Sequence, residues 1–384
     1  MDIETLLAES RDQYVVPFSD CVPVEGAVIS AIYDLTRGRI STFQSEYYPL
    51  LEEFGRHRLG ELIDRASEDD RGSILGFLEF LLDHEYVCLM DEPGAFPPIP
   101  WSWDAPCVIQ DAIIDVGEQH HDYDALVSEL DALGCQHLQV RGYSRRFGTS
   151  ELGALARRCH GTSIQSLQAI LAHDPERSDQ DYEAAVAEHR IISSVIVHSA
   201  DEDRRLVIDR GARGRSAALT EVEVRFSTKA MESHVDCGTI TTRELLAPST
   251  NTFSELHHFN GCLNRKIAVD TSGQVRNCPA MPTSFGHHAE VSLREVAAQA
   301  SFQRAWRARK DEIEVCRDCQ YRYACTDCRA FLEDPNADHS KPLKCGYDPY
   351  TDSWTDWTKR PRAKATMEEY RRRHRLPILG ARGR

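Results

Sequence analysis

The sequence lacks the features that mark several common classes of protein. It contains no run of 18 apolar residues, and residues Met1 to Arg11 are acidic without an apolar signal segment. It also has no Ser-His-Asp order, no phosphate-binding loop and no paired-carboxylate motif, so it offers no sign of the commonest hydrolases or nucleotide-binding enzymes. We expect a cytoplasmic protein with no membrane partner.

Negative charge outweighs positive charge outside the C-terminal tail. The 384 residues carry a net charge of −16, although Lys359 to Arg384 hold ten Lys or Arg against two Glu. Nucleic-acid binding needs a clustered basic face, so nucleic acid is not expected as the main partner. The tail is expected to fold back or to stay solvated, and contact with a leader peptide or a nucleic acid is the alternative.

Cysteine, by contrast, is abundant and unevenly distributed. Seven of the 13 cysteines lie between Cys262 and Cys345, and four of them fall in C-R-D-C-Q-Y-R-Y-A-C-T-D-C, from Cys316 to Cys328. In a reducing compartment, closely spaced cysteines indicate a metal, a cluster or catalysis rather than disulfides. Thiolates two residues apart can point at one centre, so the sequence predicts one or two metal centres.

The spacing leaves two kinds of centre open. The pairs Cys316 with Cys319 and Cys325 with Cys328 would suit one tetrahedral zinc ion. Iron–sulfur centres are the favoured prediction, because a single zinc ion would leave three further cysteines unused. Four other cysteines fall in apolar patterns and are predicted to be small core residues: Cys21, Cys88, Cys135 and Cys159.

The remainder of the chain shows two regular patterns. Near the N-terminus, a hairpin with arms at Ala27–Leu35 and Ile40–Phe43 precedes three helical patterns and a strand at Tyr86–Met90. This order resembles the winged-helix element with which many peptide-modifying enzymes hold a precursor's leader as an added strand.

Further on, apolar runs recur every 27 to 30 residues, and helical patterns lie between several of them. The runs open at Cys107, His137, Ile164, Ile192 and Glu221. This spacing predicts about five βα units.

The chain is therefore predicted to have five segments. Five prolines between Pro93 and Pro106 exclude a helix or a central strand there. Further on, a hairpin at Lys266–Asn277 is predicted to bring Cys262 and Cys278 together, and a helix at Leu293–Arg309 to follow it. The segments are a winged-helix-like α+β unit (1–92), a linker (93–106), a partial α/β barrel (107–252), a cysteine-rich domain (253–357) and a basic tail (358–384).

The order of the seven cysteines resembles the SPASM domain, the auxiliary-cluster module of many radical S-adenosylmethionine enzymes that modify peptides. The domain has a cysteine, then a glycine with a cysteine five positions on, then four cysteines separated by two, five and three residues, then a last cysteine. The sequence supplies these elements with one departure, a spacing between Cys325 and Cys328 that is one residue shorter: Cys262, Gly273, Cys278, Cys316, Cys319, Cys325, Cys328 and Cys345.

The flanking residues look like the SPASM-domain maturases of grasp-with-spasm cassettes, which are encoded beside an ATP-grasp ligase and a small precursor peptide. Three stretches carry this likeness: Cys262-Leu263-Asn264-Arg265-Lys266-Ile267, Asn277-Cys278-Pro279 and Lys341 to Tyr350. The resemblance implies a role in maturing a ribosomally synthesised peptide, with the precursor and the ligase as partners.

The residues that hold the radical cluster in that superfamily are missing here. Its members carry three cysteines, spaced by three and two residues, after the first barrel strand, and a Gly-Gly-Glu-Pro motif at the end of the next. This chain has Gly117-Glu118-Gln119-His120-His121 and Arg141-Gly142-Tyr143-Ser144 in those places. The resemblance implies an α/β protein with a degenerate, partial barrel that has no site for S-adenosylmethionine, followed by a cysteine-rich SPASM domain.

The resemblance also implies how the cysteines divide between two four-iron four-sulfur clusters. Cys316, Cys319, Cys325 and Cys345 would hold one cluster completely. A second cluster would have only three cysteines: Cys262, Cys278 and Cys328. Three residues are candidates for its fourth ligand: His257, His258 and Cys237. Alternatively, the iron of this cluster that has no protein ligand could bind substrate as a Lewis acid.

Two further groups of residues carry weaker signals. His120 and His121 with Asp122 look like metal ligands, but Asp122 is predicted to cap a helix. Arg141, Arg145 and Arg146 are predicted to form a basic spot on the strand ends, solvated or bound to an acidic peptide.

Four possible roles stay open at this point. The protein is predicted to be either an enzyme of unassigned, non-radical chemistry or a substrate-binding partner in peptide maturation. The alternatives to an iron–sulfur protein are a zinc-stabilised, peptide-binding adaptor without catalytic activity and a zinc-stabilised scaffold that contacts no peptide.

Overall fold

A computed structural model of the protein describes residues 9–211 and 221–373. The N-terminal unit has β1 antiparallel to β5, and a separate antiparallel sheet in the order β2-β3-β4. The predicted hairpin (now β3 and β4), the three helices and the closing strand are all present, whereas β1 was not predicted. In chain order the elements are β1 (Tyr14–Pro17), β2 (Cys21–Val24), β3 (Ile29–Asp34), β4 (Arg39–Gln44), α1 (Tyr48–Glu53), α2 (Leu59–Arg65), α3 (Glu68–Asp83) and β5 (Val87–Met90).

The middle of the chain builds most of one large sheet. Helices α4, α5 and α6 connect successive parallel strands, so three of the predicted βα units carry a helix among the described residues. Residues 93–106 before it form no helix or strand. The elements are β6 (Asp111–Val116), α4 (Tyr123–Ala132), β7 (His137–Gly142), α5 (Thr149–Arg158), β8 (Ser166–Ala172), α6 (Asp179–Glu188), β9 (Ile192–His198), β10 (Arg204–Asp209) and β11 (Glu221–Phe226).

The cysteine-rich part contributes two strands to the same sheet. Its hairpin is formed as predicted, but its first arm, β12, also pairs in parallel with β6. The sheet thus has eight strands in the order β10-β11-β9-β8-β7-β6-β12-β13, with antiparallel pairs only at its two ends. The elements are α7 (Thr250–His258), β12 (Lys266–Val269), β13 (Val275–Arg276), α8 (Leu293–Ala298), α9 (Ala300–Gln303), β14 (Tyr347–Asp348), β15 (Ser353–Trp354) and α10 (Pro361–Arg373).

The predicted continuous helix Leu293–Arg309 is wrong. It breaks at Gln299, whose backbone is extended, and continues as α9 and a short 3-10 helix at Arg304–Arg307. At 100° per residue, Phe302 would lie half a turn away from Leu293 on one straight helix. The break lets both side chains enter the core under the large sheet, where neither is more than 1 % exposed.

The N-terminal unit packs directly on the cysteine-rich part. Tyr33 of β3, Phe253 of α7 and Tyr323 belong to one buried cluster, and the hydroxyl of Tyr33 donates to the carbonyl of Gln320 at 2.7 Å. The described part of the basic tail folds back as α10, which buries Met367. Residues 374–384 lie outside the described residues. None of the helices in the described ranges is both long and apolar enough to cross a membrane.

Candidate metal centre

The structure brings Cys316, Cys319, Cys325 and Cys345 together as one group, called here the outer group. Burial raises the pKa of the Cys316 thiol to about 12, and the charges of Cys325 and Cys345 add to that rise. Burial also raises the pKa of Cys319, where Cys316 and Cys325 act in the same direction. The four sulfurs therefore lie within electrostatic range of one another.

Cys262, Cys278 and Cys328 form a second group, called here the inner group. Burial raises the pKa of Cys328 to about 12, and Cys262 and Cys237 add to the rise. Burial raises the pKa of Cys278 too, with the same two neighbours contributing. Cys278 and Cys328 also pack against one apolar cluster that contains Phe331. The structure thus brings together the same two sets that the resemblance implies, while their roles as ligands stay a prediction.

The inner group is assembled by two local structures. Asn260, just after α7, accepts hydrogen bonds from the backbone of Cys262 and Leu263 at 3.0 and 2.9 Å. The hairpin β12–β13 then brings Cys278 back, because Asp270 accepts from Ser272 and Gln274 in its turn. Burial would raise the pKa of Asp270, but hydrogen bonds from Arg276 and from these turn residues outweigh it and lower that pKa.

A buried carboxylate, Asp327, lies in the chain between the two groups. It accepts from Asn260 at 2.7 Å and from Arg329 at 2.7 Å, and the ammonium of Lys310 lies 3.1 Å away. The same ammonium is 3.7 Å from the sulfur of Cys316. Because Asn260 also holds the backbone of Cys262, Asp327 links the loops of both groups. The sequence prediction missed it, although a carboxylate between Cys325 and Cys328 was visible.

The donors around the sulfurs fit iron–sulfur clusters. A cluster held by thiolates has its potential tuned by net charge and by hydrogen bonds to sulfur. Here the amide of Tyr321 donates to Cys319 at 3.4 Å, and the ammonium of Lys266 lies 3.7 Å from the sulfur of Cys262. In the two described ranges no three Cys, His, Asp or Glu side chains are arranged to hold one metal ion.

Of the three candidates for the fourth ligand, only Cys237 lies beside the inner group. His258 hydrogen-bonds through Nε2 to the backbone carbonyl of Trp101. The ring of His257 lies against those of Phe253 and Tyr323, and burial lowers its pKa. Both histidines thus contact the apolar cluster below the N-terminal unit.

A buried ion pair occupies the ends of β6 and β7, next to the inner group. Arg141 donates to both oxygens of Asp115 at 2.6 and 2.9 Å, and Tyr143 donates to the same carboxylate at 2.9 Å. Burial raises the pKa of Asp115 against the opposing effect of Arg141. The charge of Arg141 opposes the rise in the pKa of Cys278, so the pair lies within electrostatic range of the inner group.

The predicted basic spot is therefore wrong for Arg141, which is 1 % exposed and paired. Arg145 and Arg146 are exposed as expected. The sequence prediction missed that each of two neighbouring apolar strands contains one charged residue. The parallel register sets these two residues, Asp115 and Arg141, opposite each other. A parallel register cannot be read from either strand alone.

The remaining predicted residues have structural roles. Asp122 caps α4 by accepting from the amide of Ala125 at 3.0 Å, as predicted, and His121 is buried against the carbonyl of Asp115. Three of the four predicted core cysteines are buried, and Cys88 is half-buried.

One comparison with known proteins agrees with part of this site. Residues 262–320, which include Cys262, Cys278, Cys316 and Cys319, match the family model of the SPASM iron–sulfur cluster-binding domain. A search of curated proteins found no match to the chain. The protein therefore contains a SPASM iron–sulfur cluster-binding domain at residues 262–320.

Proposed function

We propose that the protein acts with an ATP-grasp ligase in the maturation of a ribosomally synthesised peptide. In this proposal the N-terminal unit, acting as a winged-helix-like leader-binding element, holds the precursor. The outer group holds one four-iron four-sulfur cluster and the inner group holds another. A bound cluster supplies electron transfer, or Lewis acidity at any iron that has no protein ligand.

The observation that carries the proposal is the direct contact between the N-terminal unit and the loop of the outer group. Besides the bond from Tyr33 to Gln320, the amide of Ala27 donates to the carbonyl of Asp318 at 2.9 Å. Gln320 and Asp318 flank Cys319 in sequence. A peptide held on the N-terminal unit would thus be anchored beside the loop that carries Cys319.

The residues at the strand ends of the large sheet favour a function that does not use a radical cluster. The places at which the superfamily binds its cofactor offer no thiolate, and the pair of Asp115 and Arg141 occupies that edge of the sheet. We propose that this part has become a degenerate barrel that supports the inner group.

The outer edge of β4 supports peptide binding by strand addition. The amide of Ser45 donates to the carbonyl of Val28, just before β3. In an antiparallel pair every second residue hydrogen-bonds to the partner strand, so the amide of Thr42, three residues before Ser45, points away from β3. The Thr42 side chain is exposed. A cavity of about 510 Å³ lies beside the strand, between Ser41 and the turn after α3.

The test is binding of a labelled precursor peptide, taken from the gene beside that of this protein, to the full chain with Thr42→Pro. The proline removes the outward amide and is tolerated at a sheet edge. We expect about tenfold weaker binding in fluorescence anisotropy, since the loss of one or two backbone hydrogen bonds at about 0.5–1.5 kcal/mol each corresponds to roughly 2- to 160-fold.

The matched control is Thr42→Val, which keeps the amide and should bind as the wild type does. Equal affinities of the proline and valine variants would contradict strand addition at β4. A wild-type chain that neither binds nor modifies the precursor, with the ligase present, would contradict the proposed function itself.

A further inference from the structure

We propose that Cys237 is the fourth thiolate ligand of the inner cluster. It stands outside the matched domain, 25 residues before Cys262, in a loop that follows the 3-10 helix His234–Asp236. The inference rests on the proposed cluster of the inner group and adds to it a ligand that the seven-cysteine pattern does not contain.

The first observation is a close approach of the backbone. Gly238 has a φ of +86°, and a Cβ added there would lie 2.7 Å from the sulfur of Cys328. Any other residue would clash with that sulfur, so glycine lets the chain beside Cys237 lie directly against a predicted ligand. A sulfur one residue away from this contact is within reach of the same centre.

The second observation is that the loop is anchored on both sides of Cys237. The ammonium of Lys344 donates to the carbonyls of Val235 and Cys237, the latter at 2.6 Å. On the other side, the amide of Ile240 donates to the carbonyl of Lys344 at 3.1 Å, and Ile240 forms a bridge with Cys345. The position of Cys237 is therefore determined by the cysteine-rich part itself.

The third observation is that the segment of Cys237 packs into the same apolar cluster as the inner group. Val235, two residues before Cys237, belongs to the buried cluster of Phe331 against which Cys278 and Cys328 pack. The ammonium of Lys344, which donates to the carbonyl of Cys237, lies 4.3 Å from the centre of the Phe331 ring. Cys237 is nevertheless exposed, so a free surface thiol is the alternative.

Four thiolates would give every iron of the inner cluster a protein ligand. A saturated cluster suits electron transfer or structural support, whereas Lewis-acid chemistry needs an iron open to substrate. The inference therefore favours a redox or structural role for the inner cluster over direct binding of the peptide.

The test compares the reduced wild type and Cys237→Ala by electron paramagnetic resonance, with and without cyanide, on protein purified without oxygen. Cyanide should leave the wild-type spectrum unchanged and shift the spectrum of the inner cluster in Cys237→Ala, because only the variant has an iron without a protein ligand. Cys88→Ala is the matched control and should behave as the wild type. A wild type that responds to cyanide, or a Cys237→Ala variant that does not, would overturn the inference.

A second readout needs no variant. Alkylation of the wild type with iodoacetamide, followed by mass spectrometry, should leave Cys237 unmodified with clusters bound and modify it after the iron is removed by chelation. Equal modification in both states would overturn the inference while leaving the proposed function intact. A wild type without any cluster would overturn both.

Discussion

Replacing Cys316 with alanine is expected to remove about half of the iron and sulfide from the protein, and replacing Cys328 to remove the other half. Each change removes one thiolate from only one of the two cysteine groups. Although Asp327 links the loops of the two groups, different residues hold their thiolates. Lys310 lies beside Cys316 in the outer group, whereas Asn260 and the hairpin after Cys262 position the inner group. One cluster should therefore survive the loss of the other.

Iron and acid-labile sulfide per chain, measured on each variant purified without oxygen, check this expectation. Cys88→Ala is the control, because Cys88 lies in β5 of the N-terminal unit and should not change the iron content. If both variants lost all their iron, or both kept it, the division into an outer and an inner group would be wrong.

Replacing Asp115 with alanine is expected to lower the free energy of unfolding by about 3–5 kcal/mol, because the guanidinium of Arg141 would stay buried without its carboxylate. The Asp115 side chain is fully buried and that of Arg141 is 2 % exposed. Tyr143 would lose its acceptor as well. The loss is large because water cannot replace the missing charge at this depth.

Urea unfolding of the wild type and the variants measures this effect. The matched control is Asp124→Ala, which breaks an ion pair of 2.8 Å to Arg158 in which the Asp124 side chain is 75 % exposed. That change should cost less than about 1 kcal/mol. Asp115→Ala combined with Arg141→Met should recover much of the loss, since it leaves no unpaired charge. If Asp115→Ala were as mild as the control, the buried pair would not support this edge of the sheet.

The sequence predicts best the features that depend on neighbouring residues. The turn at Ser272-Gly273 identifies the hairpin, and with it the proximity of Cys262 and Cys278. The apolar runs locate the parallel strands within a few residues, although the first of them begins at Asp111 rather than near Cys107.

The features that sequence misses depend on contacts between distant residues. The pairing of β12 with β6 sets Lys266 beside Asp111, which is more than 150 positions earlier in the chain. No local sequence pattern predicts this pairing. The break at Gln299 allows Phe302 to pack in the core, and no helix-ending residue in the sequence marks it. The sequence offers Cys237 only as one of three candidates, and the folded loop, which brings Gly238 against the sulfur of Cys328, distinguishes it from His257 and His258.

The N-terminal unit shows the same difference between features set by neighbouring residues and features set by distant contacts. Its hairpin and helices are locally encoded and present, while the short β1 is held by pairing of Val15 and Val16 with β5, some 70 residues later. Short strands of this kind depend on their partner for stability.

The measurement that tests the account most directly is the content of iron, acid-labile sulfide and zinc per chain in the wild-type protein purified without oxygen. Two four-iron clusters predict about eight irons and eight sulfides with no zinc. About one zinc ion without sulfide would contradict the account, and the protein would then be a zinc-stabilised adaptor or scaffold.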